Sequence, residues 1–208
     1  MKLDILSLSL LTLCLAAVPA MADTGYTNGP INGTTDAWTI NFGFAVSDTF
    51  TLLTNYNVTG LAFGAWLIPG DVLESAQVSI TSAENGGTSF YDSVVNFTAS
   101  GCSGNQYGYN VCTETSDSSF GSVNLAGGTY WLNLQNAVVN TGDPIFWDEN
   151  SGPSEASENT LGTIPSEAFT ILGSPSSTSG GSVPEPSSIL LLGSGILGLA
   201  GVLRRKLF

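Results

Sequence analysis

The 208-residue chain has no histidine, and its four basic residues sit at its ends: Lys2, Arg204, Arg205 and Lys206. Between Asp23 and Val183 there is no basic side chain, whereas 15 of the 17 acids fall there, only Asp4 and Glu185 lying outside. That stretch cannot form an internal salt bridge, and its uniform negative field repels nucleic acid and anionic membrane surfaces. Nucleic acid is therefore excluded as a partner, while neutral sugars, cations and basic proteins remain open. The missing residue types also remove chemistry. Without His or Lys, and with three Cys in all, the nucleophile and base pairs of common hydrolases cannot be assembled. Zinc lacks its usual ligands for the same reason. Two carboxylates about 5 to 10 Å apart could still hydrolyse a glycoside, but 15 acids supply such pairs by chance and no motif singles one out. The chain reads as non-catalytic, with a carboxylate glycosidase as the enzymatic alternative.

Helical periodicity is also missing from the middle of the chain. No segment from Trp38 to Leu172 carries apolar residues at i, i+3, i+4 and i+7 over ten residues, which argues against crossover helices and a parallel sheet. Short period-two runs appear instead, separated by Gly, Asn, Asp and Ser. They are WTINFGF (38–44), DTFTLL (48–53), VTGLAFGAWLI (58–68), AQVSIT (76–81), SFYDSVVNFT (89–98), YGYNVCTET (107–115), GTYWLNLQNAVV (128–139), IFW (145–147) and AFTIL (168–172). In the first, Trp38, Ile40, Phe42 and Phe44 are expected on one face. The spacing predicts an all-β fold, an antiparallel β-sandwich of about nine strands and jelly-roll-like form, with one core.

Long apolar runs occur only at the two ends. Lys2, the run Ile5–Val18 and the small-residue site Ala20-Met21-Ala22 form a secretory signal peptide over 1–22, with cleavage after Ala22. Its removal leaves two cysteines, Cys102 and Cys112, in an exported and disulfide-permissive setting. Their pairing would close a short loop and stabilise it by roughly 3 kcal/mol.

Two stretches offer binding chemistry. In GDPIFWDENSGPS (142–154), Asp143, Asp148, Glu149 and Asn150 are hard oxygen donors that could hold a structural Ca²⁺, without EF-hand spacing; solvated loop acids are the alternative. No other cofactor is implied. In TYWLNLQN, Trp131, Asn133 and Gln135 alternate with Tyr130, Leu132 and Leu134. An indole beside two amides suits the apolar and hydroxyl faces of a sugar, and the alternative is that Trp131 packs under a loop or at the sandwich edge.

The C-terminus is the most specific part. Residues 174–186 are a Ser, Gly and Pro linker, and 187–203 run without a charge. As a helix, those 17 residues span roughly 25 Å and reach the short limit of a membrane crossing. Arg204, Arg205 and Lys206 then hold residues 204–208 in the cytoplasm, with the domain at 23–173 on the other side. The order Val183-Pro184-Glu185-Pro186, apolar helix, Arg-Arg-Lys resembles a PEP-CTERM sorting signal of Gram-negative bacteria. The resemblance implies an exosortase, a multi-pass membrane protease, as partner, in species that make exopolysaccharide. It further implies a precursor in the inner membrane with its ectodomain in the periplasm, then removal of the tail and release to the cell surface or matrix. The two prolines fit that role, since they keep Glu185 extended where a protease can reach the backbone. NGPINGTTDAWTINFGF and WDENSGPS are similar to stretches of other exported proteins of this class, and no activity attaches to that likeness. The expected function is a non-catalytic surface or matrix protein, or alternatively a module that binds exopolysaccharide.

Overall fold

The computed structural model describes residues 23–176. The expected signal peptide with Ala20 and Ala22, most of the linker, Val183, Pro184, Glu185 and Pro186, the helix at 187–203, and Arg204, Arg205 and Lys206 lie outside the described residues.

Thirteen strands and one 3-10 turn (Ser118–Phe120) make up the described chain. In order they are β1 (Asp23–Thr27), β2 (Ala37–Thr39), β3 (Ala45–Leu52), β4 (Tyr56–Leu67), β5 (Leu73–Ala83), β6 (Gly86–Gly104) and β7 (Asn110–Ser116). There follow β8 (Val123–Leu125), β9 (Gly128–Val139), β10 (Phe146–Asp148), β11 (Ala156–Glu158), β12 (Gly162–Ile164) and β13 (Phe169–Pro175). Each of the nine expected runs coincides at least in part with a strand. The four unforeseen strands, β1, β8, β11 and β12, have five residues or fewer, too few for alternation to declare itself. Strand β13 continues through Ser174 and Pro175, pairing with Asn57 and Tyr56, two residues into the expected linker.

All pairings are antiparallel, and the sheet runs β1-β13-β4-β7-β6-β5-β9-β3-β11-β12. Strand β6 connects its halves: residues up to Asn96 pair with β5, and those from Phe97 onward pair with β7. The sheet curls, so that its borders meet across the core. Tyr26 of β1 and Phe169 of β13, at one border, have ring centroids 6.1 and 6.4 Å from that of Phe50 on β3, at the other. Inward positions follow strand parity. Val46, Phe50 and Leu52 on β3, Leu61, Phe63 and Ala65 on β4, Leu132 and Leu134 on β9, and Trp147 on β10 form one buried apolar cluster.

The run WTINFGF departs from its expected alternation. Phe42 has φ 57° and Gly43 φ 90°, and the Phe44 N–H closes a turn on the Asn41 carbonyl. The strand therefore breaks after Thr39. Ile40 is buried, while Phe42 and Phe44 point outward, 64% and 39% exposed.

Candidate functional site

Strand parity puts acids at one end of the core. On β3, Asp48 shares the inward face of Val46, Phe50 and Leu52. Glu149 follows Trp147 by two residues and Glu167 precedes Phe169 by two, and the two glutamates face each other in an isolated antiparallel bridge. All three are buried, Glu167 and Asp48 with no exposed surface. They lie at the seam where the two borders of the sheet meet: the Glu167 N–H, just before β13, donates to Asp48 Oδ2 on β3 at 2.7 Å.

Asn28 fills the middle of this seam. Its Nδ2 lies 3.1 Å from Asp48 Oδ2, 2.5 Å from Ser154 Oγ, 2.6 Å from Ser166 Oγ and 2.6 Å from the Glu167 carbonyl. Its Oδ1 accepts from the Tyr26 hydroxyl at 2.8 Å. Asn150 ties the same loops, donating to the Asn28 carbonyl and accepting from the Gly152 N–H. Even so, Asp48 Oδ1 and both Glu167 carboxylate oxygens have no hydrogen-bond partner. Burial pushes the Asp48 carboxyl up to about 6, against hydrogen bonds that favour its charge. Burial first, and then the charges of Asp48, Glu149, Asp148 and Asp36, push the Glu167 carboxyl well above the usual range.

The four expected Ca²⁺ donors do not share one site. Alternation along β10 sends Asp148 to the outer face, where it accepts from the Asn32 and Gly33 N–H groups and from Trp66 Nε1. Glu149, on the inner side, accepts from Trp38 Nε1 at 3.0 Å. Asn150 is committed to the seam, and the Asp143 carbonyl serves to hold Asn41. Among the described residues no three His, Cys, Asp or Glu side chains gather as a metal cage. The Asp148 carboxyl is raised by burial, with its three donors pulling the other way.

The Trp131 face lies on the outer side of β9, as its alternation with Leu132 and Leu134 requires. Asn133, however, is buried there. Its Nδ2 donates to Thr81 Oγ1 at 2.9 Å and Ser79 Oγ at 3.2 Å, and its Oδ1 accepts from Ser47 Oγ and the Asn85 N–H. The Asn85 turn between β5 and β6 is thereby folded over the sheet. A cleft of about 340 Å³ remains, lined by neutral groups including Ser79, Thr81 and Gln135, with Asp92 as its acid. Trp131 and Gln135 are half-buried on this face.

Cys102 and Cys112 form a disulfide between β6 and β7, at an irregularity in their register between Ser100 and Ser103. Next to it a cleft of about 420 Å³ is lined by Asn32, Thr34, Asn105, Gln106 and Thr113, without a carboxylate.

Sequence reasoning missed Asn28, Asp48, Ser154, Ser166 and Glu167. Asn28 and Ser154 do fall within the two stretches similar to other exported proteins, and the fold joins those stretches at the seam.

Compared with models of protein families, residues 182–206 match the PEP-CTERM protein-sorting motif. The chain is a PEP-CTERM sorting domain-containing protein, and the motif marks it as exported and handled by an exosortase of Gram-negative bacteria. No curated protein matches the chain.

Proposed function

We propose that the all-β domain is the non-catalytic cargo of this sorting signal, held first as an inner-membrane precursor and then released to the cell surface or extracellular matrix. The sorting motif at 182–206 carries the reading. The absence of His, and of Lys and Arg between Asp23 and Val183, supports a non-catalytic role. So does the burial of Asp48 and Glu167, which leaves no path for a substrate between them. We read the curled sheet as two facing layers of a jelly-roll-like sandwich, a closed and protected form suited to life outside the cell. Replacing Pro184, Glu185 and Pro186 together by alanine should leave uncleaved precursor in the membrane fraction. Unchanged mass and location of the variant would overturn the proposal.

A second reading, binding of exopolysaccharide, is favoured by the polar cleft that Gln135 lines, with Asp92 as its one acid, and by the half-buried indole of Trp131 on the same face of β9. Asn133 serves the fold on this face, so sugar recognition would rest on Trp131 and Gln135. Trp131→Ala should lose binding to the host's purified polysaccharide, and equal binding would remove this reading. Release of reducing sugar from that polymer by the wild-type protein would instead favour a carboxylate glycosidase.

A further inference from the structure

Buried carboxylates need a counter-charge or a proton, because an unpaired ion in an apolar surround costs several kcal/mol. The span from Asp23 to Val183 has no basic side chain to supply one. At the seam, Asp48 Oδ1 and both carboxylate oxygens of Glu167 are fully buried and meet no donor. The strongest charge acting on Glu167 is that of Asp48. Beside them, four oxygens converge on Asn28 Nδ2 within 3.1 Å. An amide nitrogen carries two hydrogens and can satisfy two of the four.

A half-turn of the Asn28 amide resolves this mismatch in one way. It places Oδ1 among the four oxygens and turns the NH₂ toward the Tyr26 hydroxyl, which can accept as readily as it now donates. The result is a shell of five oxygens, among them Asp48 Oδ2 and the Glu167 carbonyl, with no nitrogen or sulfur ligand. Hard oxygen donors in that number suit Ca²⁺, which takes six to eight oxygens in flexible geometry, better than Mg²⁺, which demands a regular octahedron and keeps its waters.

We propose that Asp48 and Glu167, completed by the side-chain oxygens of Asn28, Ser154 and Ser166, form a Ca²⁺ site that clamps the two borders of the curled sheet. Two carboxylates balance the divalent charge, and neutral oxygens make up the coordination. The ligands come from β3, from the chain after β1, from the loop before β11 and from the segment before β13, so the ion would join parts of the chain up to 139 residues apart. The site differs from the 143–150 stretch, whose donors are divided between the two faces of β10.

The test uses the full-length protein in detergent micelles, freed of metal with EDTA and titrated with CaCl₂ at pH 7.5, with MgCl₂ as comparison. CaCl₂ should raise Tm saturably, by roughly 5–10 °C at a hundredfold excess over Kd, with one ion bound per chain by calorimetry. Asp48→Asn and Glu167→Gln should abolish the shift, and Asp143→Asn should keep it. If a seam variant fails to fold, calorimetry on the wild-type chain still decides. No saturable heat and no Tm shift in the wild type would overturn the proposal. A shift retained by both Asp48→Asn and Glu167→Gln would do the same.

Discussion

Two of the buried polar networks in this fold, those around Asn133 and Asn28, differ in kind. Around Asn133 on the outer face of β9, the side chains are neutral: Asn133, Ser47, Thr81 and Asn85 find partners among themselves. Around Asn28 at the seam, acids are buried beside the network and three of their oxygens find none. A satisfied neutral network fixes a turn at little cost, whereas a half-satisfied charged one weakens a fold unless something else enters. The first network has the character of architecture. The second has the character of a site.

The largest effect is expected from crowding the seam. A Cβ on Gly152 would come within 3 Å of the Asn28 carbonyl, Ser166 Oγ and Asn150 Oδ1, all members of that network. The backbone of Gly152 is not left-handed, so the conflict is purely steric and backbone must move to relieve it. Gly152→Ala should cost about 3 kcal/mol, a fall of roughly 6–12 °C in Tm for a domain of this size. A variant as stable as the parent would show that the seam opens easily, and the contrast between the two networks would lose its basis.

A smaller loss should follow at the neutral network. Asn133→Ala removes the partner that Ser47, Thr81 and the Asn85 N–H share, but Ser47 and Asn85 still bond each other and Thr81 still donates to the Ala83 carbonyl, so the lost hydrogen bonds cost about 1 kcal/mol. The loss should be concentrated at the turn, where Asn85 holds a φ of 49°. Amide exchange at Asn85, Gly86 and Gly87 should therefore accelerate more than exchange in β9. Uniform acceleration across the sheet would mean that Asn133 supports the core as a whole.

The sequence discloses these networks unequally. Alternation along TYWLNLQN puts Asn133 on the outer face with Trp131, which is where it lies, though not that the Asn85 turn would cover it. The all-β class and the Cys102–Cys112 bridge were legible because each depends on local pattern or on simple counting. The seam was not, because its residues come from four segments whose meeting depends on how the sheet curls. One signal did exist: Asp48 occupies the parity of Val46, Phe50 and Leu52, a charge at an inward position. The acidic loop misled for a related reason. Asp148 and Glu149 are adjacent in sequence and read as joint ligands, but adjacent residues of a strand point to opposite faces.

Glu114 sharpens the comparison, because it is a buried acid with no network at all. It lies on β7 opposite Phe63 and Ala99, shares the face of Cys112, and neither carboxylate oxygen has a partner. Burial alone pushes its carboxyl from 4.5 up to about 7. Below about pH 4.5 folded and unfolded chains both hold this proton, and the group makes no pH-dependent contribution. Between about pH 4.5 and 7 the unfolded chain releases the proton while the folded chain keeps it, so stability falls as pH rises and levels off above 7. Glu114→Gln removes that descent. In EDTA, the Tm of Glu114→Gln should match the parent near pH 4 and exceed it increasingly up to pH 7, partial solvent screening keeping the gap to on the order of 1 kcal/mol. A gap that does not change with pH would mean that Glu114 is ionised in the fold at no cost, and that a buried acid here needs neither a proton nor a cation.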